Sequence, residues 1–486
     1  MGHLKQDSKK SVGIDAIAVH VPRLYVDLSG EWAQARAATF SEGDVAQLVG
    51  KVKKGVGVEH MAVPDAHEDS ATLAAMAAVK AIQNAGIDPK DIGYVAVGTE
   101  TTVDQSKSIA AYVLGMIERR FNVQMPDVGA PQFQFACIGA TYALEAAVNM
   151  FRAEEHTKPY ALVIATDVSK YPLLTAGEYT QGAGAVAMLV CENPRLLAID
   201  PKTAATITRD ERDFFRPNGL QTAVVDGKYS IDVYLDCMTL AADRYLERAR
   251  AAFNKPGARI DELASHLLFH VPFPRMAEYA ALRILGDAWR KDSRIKDEIV
   301  REVPLITDTN IDKDPKARKA YEKQLADSAF FRHFFATTIE PSLTLSRKIG
   351  NIYSGSLYLA LASLLESTEN RASLAGQRIA LLSYGSGASA RVFSGTFVDP
   401  AHAYIPHAAT DLKNEQDGGR RVALSVKDYE RLHSGPKSED STTPGSLLQP
   451  AESLRAPKNE FALTRVGAEQ SAQKTDTGYR YYEWMK

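Results

Sequence analysis

The chain has 486 residues, 45% hydrophobic and 24% charged, with a formal net charge of -3. That length accommodates two or three domain-sized units and a large core, and the near balance of charge argues against nucleic-acid binding. The three cysteines, Cys137, Cys191 and Cys237, are far apart and odd in number, which argues against a disulfide framework or a CxxC metal pair and fits a reducing, cytoplasmic compartment.

Residues 1–10 are polar, and no run approaches 18 uninterrupted apolar residues. Neither a secretory signal nor a membrane span is expected. Val12 to Val21 alternates apolar and polar residues and predicts a strand. Glu42 to Val52 reads as a helix, followed by a glycine-broken loop at Lys54–Val58. Asp69 to Thr72 supplies capping residues for a helix that stops near Gly86. Ile92 to Thr99 is a buried-strand run ending at Glu100, and Ser106 to Arg119 is helical.

Gln132 to Thr141 then brings a strand-like approach, Cys137, small residues and the start of a buried helix. A cysteine at a helix start is expected to have its thiolate stabilised by unpaired N–H groups and the helix dipole, which makes it a candidate nucleophile for acyl transfer. The bland alternative is a small buried hydrophobe. Tyr160 to Asp167 and Gly182 to Val190 predict two more strands.

The second half echoes this order. Leu267 to Pro272 is a short strand holding His270, Asn351 precedes a helix over Leu357 to Leu365, and Ile379 to Gly387 is a strand entering the Gly385-Ser386-Gly387 turn. Alternating strands and helices predict an α/β fold with a largely parallel sheet and a duplicated core. Ala288 to Thr338 is charged and reads as a solvated helical insertion, Leu432 to Asn459 as an irregular linker, and Phe461–Val466 with Gly478–Trp484 as a terminal hairpin. Glu100, Cys137, His270, Asn351 and Ser386 fall at or beside strand ends, where ligand sites of α/β sheets gather. Taken singly, Glu100 and Asn351 also read as caps and His270 as a core histidine.

Eight segments in this order resemble the 3-hydroxy-3-methylglutaryl-CoA synthase family of the thiolase superfamily, in its bacterial and archaeal form. They are Gly98–Asp104, Ala136–Thr141, Thr180–Val186, Asp213–Pro217, Val225–Ser230, Phe269–Phe273, Gly350–Tyr358 and Tyr384–Gly387. The resemblance implies a duplicated thiolase-like α/β fold layered αβαβα. Its halves would span 12–195 and 196–400, with an insertion at about 288–338 and a C-terminal extension over 401–486. It also implies a cytoplasmic homodimer that condenses acetyl-CoA with acetoacetyl-CoA and needs no metal or redox cofactor.

Position by position, the resemblance makes Cys137 the acetyl-accepting nucleophile, Glu100 the general acid/base and His270 the group that positions the acetoacetyl carbonyl. Asn351 would bind the acetoacetyl group, and the N–H groups of Cys137 and Ser386 would form an oxyanion hole. Asp167, Tyr171 and Asp213 fall on supporting substrate-site positions, and Arg216 and Arg275 on contacts for the CoA phosphates. Ile138 stands where the family usually has tyrosine, which implies an altered wall near the acyl pocket. Two readings compete within the superfamily: a β-branching enzyme with carrier-protein-bound acceptors, and a decarboxylating ketoacyl synthase. A catalytically silent scaffold is a third.

Overall fold

The computed structural model describes residues 10–415, 419–435, 452–468 and 475–486. Its main sheet has ten strands, β1 (Val12–His20), β2 (Ile92–Gly98), β3 (Gln132–Phe133), β4 (Tyr160–Val168), β5 (Ala183–Glu192), β6 (Leu197–Ile199), β7 (Ala205–Thr208), β8 (His266–Phe269), β9 (Arg378–Gly385) and β10 (Ser389–Phe397). Across the sheet the order is β8-β9-β10-β6-β1-β5-β4-β2-β3, with β7 pairing on β10. Short β6 bonds to both β1 and β10 and so joins the two halves.

Alternation along each strand sends neighbouring side chains to different cores. Ile17, Val19, Val163, Ala165 and Leu381 meet α3 (Gly139–Arg152) and α6 (Ser356–Ser367) in a central core. Their neighbours Ala16, Ala18, Leu162 and Ile164 face α1 (Ser70–Ala85) and α2 (Ile109–Phe121). On the other flank Leu267, Phe269, Ala380 and Leu382 face α4 (Gly227–Ala252) and α5 (Arg275–Lys291). The layers therefore run helix, sheet, helix, sheet, helix.

The sheet is mixed, contrary to the largely parallel one expected. Only β2 with β3, β2 with β4, and β8 with β9 run parallel. No α-helix lies between β4 and β5, and only the 386–388 turn separates β9 from β10. Without a helical crossover the chain returns antiparallel. Local signals did mark several helix starts. Asp69 caps α1 in a capping box, and Ser108 caps α2, which begins three residues later than the charge pattern suggested. The expected loop at Lys54–Val56 is instead a helical turn that ends at Gly57 with φ +90°.

The insertion is helical over Ser293–Ile299, Pro315–Asp327 and Ala329–Thr338. It is more than a solvated face, because Tyr321, Leu325 and Phe331 are buried with Trp289. Arg290 and Arg318 tie it to Asp287 and Asp312. The expected hairpin forms as Glu460–Val466 against Arg480–Met485 and packs on α1 and α2. The helix Val426–Ser434 takes in the start of the expected linker, whose residues 436–451 lie outside the described ones. Among the described residues no helix is long and apolar enough to cross a membrane.

Candidate active site

Two glycines let strand ends press on the turn that carries Cys137. A Cβ on Gly98 would stand 2.2 Å from Ala140 Cα, and one on Gly385 2.8 Å from the Ile138 nitrogen. Ala136, just before the cysteine, has φ +39°, a left-handed conformation that a residue with a side chain adopts at a cost. The turn leaves Cys137 Sγ 3.0 Å from Oε1 of Glu100, with both residues buried.

The electrostatics of this pair correct one expectation. Burial, and then the Glu100 carboxylate, push the Cys137 thiol well above its ordinary value. α3 begins only at Gly139, after an Ile138 N-cap whose side chain bonds nothing, and the titratable group in contact with the sulfur is an acid. The helix end therefore does not make a free thiolate here. Burial, with Asp167 behind it, also pushes the Glu100 carboxyl up to about 8. Two acids 3.0 Å apart titrate as a coupled pair.

Asp167, at the end of β4, fixes the Glu100 loop. Its Oδ1 accepts from the Glu100 and Thr101 nitrogens at 2.9 Å and from the Thr99 and Thr101 hydroxyls at 2.9 and 2.7 Å. Its Oδ2 accepts from the Ser354 nitrogen at 2.9 Å and hydroxyl at 2.5 Å. Both oxygens are taken and the residue is fully buried, so Asp167 is a positioning residue and not the substrate contact expected. The same correction applies to Asp213. It is fully buried and holds the Gly387 nitrogen at 2.9 Å and the Ser230 hydroxyl at 2.8 Å, which anchors the Ser386 turn to α4.

Cys137, Tyr171, Asn351 and Ser386 line one cavity of about 820 Å³. Its walls are largely apolar, including Phe214, Ile231, Phe273 and Met276, as ligand pockets usually are. Asn351 Oδ1 accepts from the Tyr353 nitrogen at 2.8 Å and the Ser356 hydroxyl at 2.9 Å, which leaves its NH2 as the donor toward the cavity. His270 is 1% exposed and lies beside Tyr384, a lining residue, with ring centroids 6.5 Å apart. Neither ring nitrogen has a hydrogen-bond partner. Burial lowers the imidazole to about 3, so the ring is neutral. Ile138 is buried but does not line the cavity. It packs on the end of β9, so the expected change to the acyl wall does not arise directly.

The two arginines part ways. Arg216 donates to the carbonyl oxygen of Glu100, which ties it to the Glu100 loop. Arg275 starts α5, next to the lining residues Pro272 and Phe273, and pairs with Glu278 at 2.6 Å while its side chain stays 40% exposed. Reasoning from sequence missed Tyr353 and Phe214, which pack edge-on with Tyr171 beside Cys137. Their aromatic character and the φ of +45° at Tyr353 were the available signals, though only the first is visible in sequence. It also missed His433, whose Nε2 reaches the Tyr171 carbonyl at 2.9 Å and Gln181 Oε1 at 3.1 Å. Gln181 Oε1 in turn accepts from the Tyr171 nitrogen at 2.6 Å. A helix of the C-terminal extension thus holds a wall of the cavity.

A layered, duplicated α/β fold with a cysteine and a carboxylate paired at its strand ends defines a thiolase-like protein. The model of the hydroxymethylglutaryl-coenzyme A synthase N terminal matches residues 8–194, and that of the C terminal matches residues 197–434. The hydroxymethylglutaryl-CoA synthase of Haloferax volcanii is 32% identical over 482 residues, covering 97% of this chain and 100% of the relative. That of Enterococcus faecalis is 34% identical over 425 residues, covering 87% and 91%. A solved structure of MvaS in complex with 3-hydroxy-3-methylglutaryl coenzyme A aligns with a TM-score of 0.77 and 35% identity, covering 98% of this chain and 100% of that one. The HMG synthase of the curacin biosynthetic pathway, at 23% identity and a TM-score of 0.68, shares the fold. This chain belongs to the hydroxymethylglutaryl-CoA synthase family.

Proposed function

We propose that this chain condenses acetyl-CoA with acetoacetyl-CoA and water to give 3-hydroxy-3-methylglutaryl-CoA and free CoA, through an acetyl group carried on Cys137. The observation that carries the reading is the contact of Cys137 Sγ with Glu100 Oε1 at 3.0 Å, at the cavity lined by Asn351 and Ser386. Cys137 attacks the acetyl thioester, its proton passes by way of Glu100 to the leaving sulfur, and CoA leaves as its thiol, which returns Glu100 to its carboxylate. Backbone N–H groups of Cys137 and Ser386 face the oxygen that becomes an oxyanion. Close packing of Gly385 on the cysteine turn supports that pairing.

Glu100 then takes a proton from the acetyl methyl. A carboxyl held near 8 by burial is a far better base than an exposed one. The enolate carbon attacks C3 of acetoacetyl-CoA, and the carbonyl oxygen takes the proton held on Glu100 to become a hydroxyl, which restores the carboxylate. The neutral imidazole of His270 has an unmet N–H to donate to that oxygen, and the unpaired ring nitrogens support this assignment. Asn351 presents its amide to the same acyl chain. Water finally cleaves the cysteine thioester. Every step moves protons and acyl groups only, so no metal or redox cofactor is required. Arg275, beside the cavity mouth, fits a CoA phosphate better than Arg216 does. We take the working enzyme to be a cytoplasmic homodimer, as the superfamily resemblance implies.

The test is a two-substrate assay. Purified protein given acetyl-CoA and acetoacetyl-CoA should release free CoA and form 3-hydroxy-3-methylglutaryl-CoA, and Cys137→Ser should take no acetyl label. Turnover only when the acetoacetyl group sits on a carrier protein would replace this reading with the β-branching one.

A further inference from the structure

Away from the residues that line the Cys137 cavity, three side chains converge under the terminal hairpin. His67 and Glu68 precede α1, and Glu460 opens the first hairpin strand. One ligand atom from each lies within 4.8 Å of the others. His67 and Glu460 are 6% and 4% exposed. His67 Nδ1 is hydrogen-bonded to the Ser453 hydroxyl at 2.8 Å, with Asp65 Oδ2 3.9 Å away. The Ser453 hydroxyl can donate or accept at Nδ1, so both tautomers of His67 satisfy that contact. With the proton on Nδ1 the Nε2 lone pair faces Glu460 Oε1 at 3.7 Å, too far for a hydrogen bond, and Nε2 is buried without a partner.

In that tautomer a lone pair and two carboxylates converge, with no hydrogen bond linking the ring nitrogen to either acid. Glu68 Oε2 accepts from the Asp65 nitrogen and Glu460 Oε1 from the Lys458 nitrogen, while Arg23 stands 3.7 Å from Glu460 Oε2 on the outer side. One imidazole and two carboxylates suit zinc or a neighbouring divalent transition metal. A histidine ligand whose second nitrogen is tied down is the usual arrangement around such an ion. Ligands of tetrahedral zinc stand roughly 3.4 Å apart, so closure takes a shift of about 1 Å or less per side chain.

We propose that His67, Glu68 and Glu460 bind one divalent transition-metal ion, zinc by its donor set, which cross-links the C-terminal hairpin to the segment before α1. The surroundings place this ion on a seam. Asp65 accepts from the Leu454 and Arg455 nitrogens at 2.9 Å, and the Leu463 nitrogen donates to His67 O at 2.9 Å.

Full-length protein stripped by a chelator is titrated with Zn²⁺ by calorimetry, and metal content after dialysis is measured. One ion per chain is expected, with a rise in Tm of at least about 2 °C at a 100-fold excess over Kd. His67→Gln and Glu460→Gln should each weaken binding at least about tenfold. Cys137→Ser should leave the stoichiometry at one, which separates this site from zinc held by the thiol. Failure of the wild-type protein to retain an ion overturns the proposal whatever the variants do. Binding unchanged in both His67→Gln and Glu460→Gln, or abolished by Cys137→Ser, overturns it as well.

Discussion

Replacing Glu100 by glutamine removes one carboxylate and keeps the shape of the side chain. In the native protein burial raises this carboxyl from its ordinary 4.5 to about 8. The folded chain therefore holds a proton there that the unfolded chain has lost between pH 4.5 and 8. Stability from this group is fully present below pH 4.5, declines as pH rises, and is gone above about 8. At ~1.4 kcal/mol per pH unit the penalty has a ceiling of about 5 kcal/mol. Glu100→Gln never pays it. The variant should match the wild type near pH 5 and exceed it by about 3–5 kcal/mol near pH 9. Urea unfolding of both proteins across pH 5 to 9, followed by tryptophan fluorescence, reads the difference. The same variant should still accept acetyl on Cys137, because it lacks the carboxyl group that raises the thiol. It should lose condensation by about 10²–10⁴-fold. A stability difference that stays flat with pH would refute the burial argument, and near-normal condensation would refute the assignment of Glu100 as base.

Asp167→Asn puts an amide donor among groups that all donate to the native carboxylate. It should cost about 3 kcal/mol in thermal unfolding and slow both acetylation and condensation; an unchanged Tm would show that the clamp is not needed. His433→Ala removes the donor that bridges Tyr171 O and Gln181 and should slow condensation about threefold to tenfold with the fold intact by circular dichroism. Because burial lowers His433 to about 4, that ratio should stay constant from pH 6 to 8, and a ratio that varies with pH would sink the neutral-donor reading.

What the sequence made legible were the strand ends. Apolar runs that stop at Gly98, Phe269 and Gly385 mark where Glu100, His270 and Ser386 leave the sheet, whereas the alternation over Val12–Val21 did not show that its strand is buried on both faces. Hidden were relations that depend on segments distant in the chain. Asp167 binds Ser354 and Asp213 binds Gly387, and nothing local in either aspartate announces such a partner. The helix over Val426–Ser434 lay at the edge of what read as linker, yet it carries the histidine that holds Tyr171.

The thiol shows the same limit in its electrostatics. A cysteine placed just before a helix is a statement about backbone geometry, and the local rule turns it into a statement about acidity. That step holds only when no stronger charge stands closer. Here the fold delivers a carboxylate to 3.0 Å and closes apolar walls around both groups, and these outweigh the start of α3. On the proposed reaction the acidity of Cys137 therefore depends on where the Glu100 proton is, and the same carboxyl is the base that makes the enolate. The 3.0 Å contact is what couples the acidity of the thiol to the proposed base.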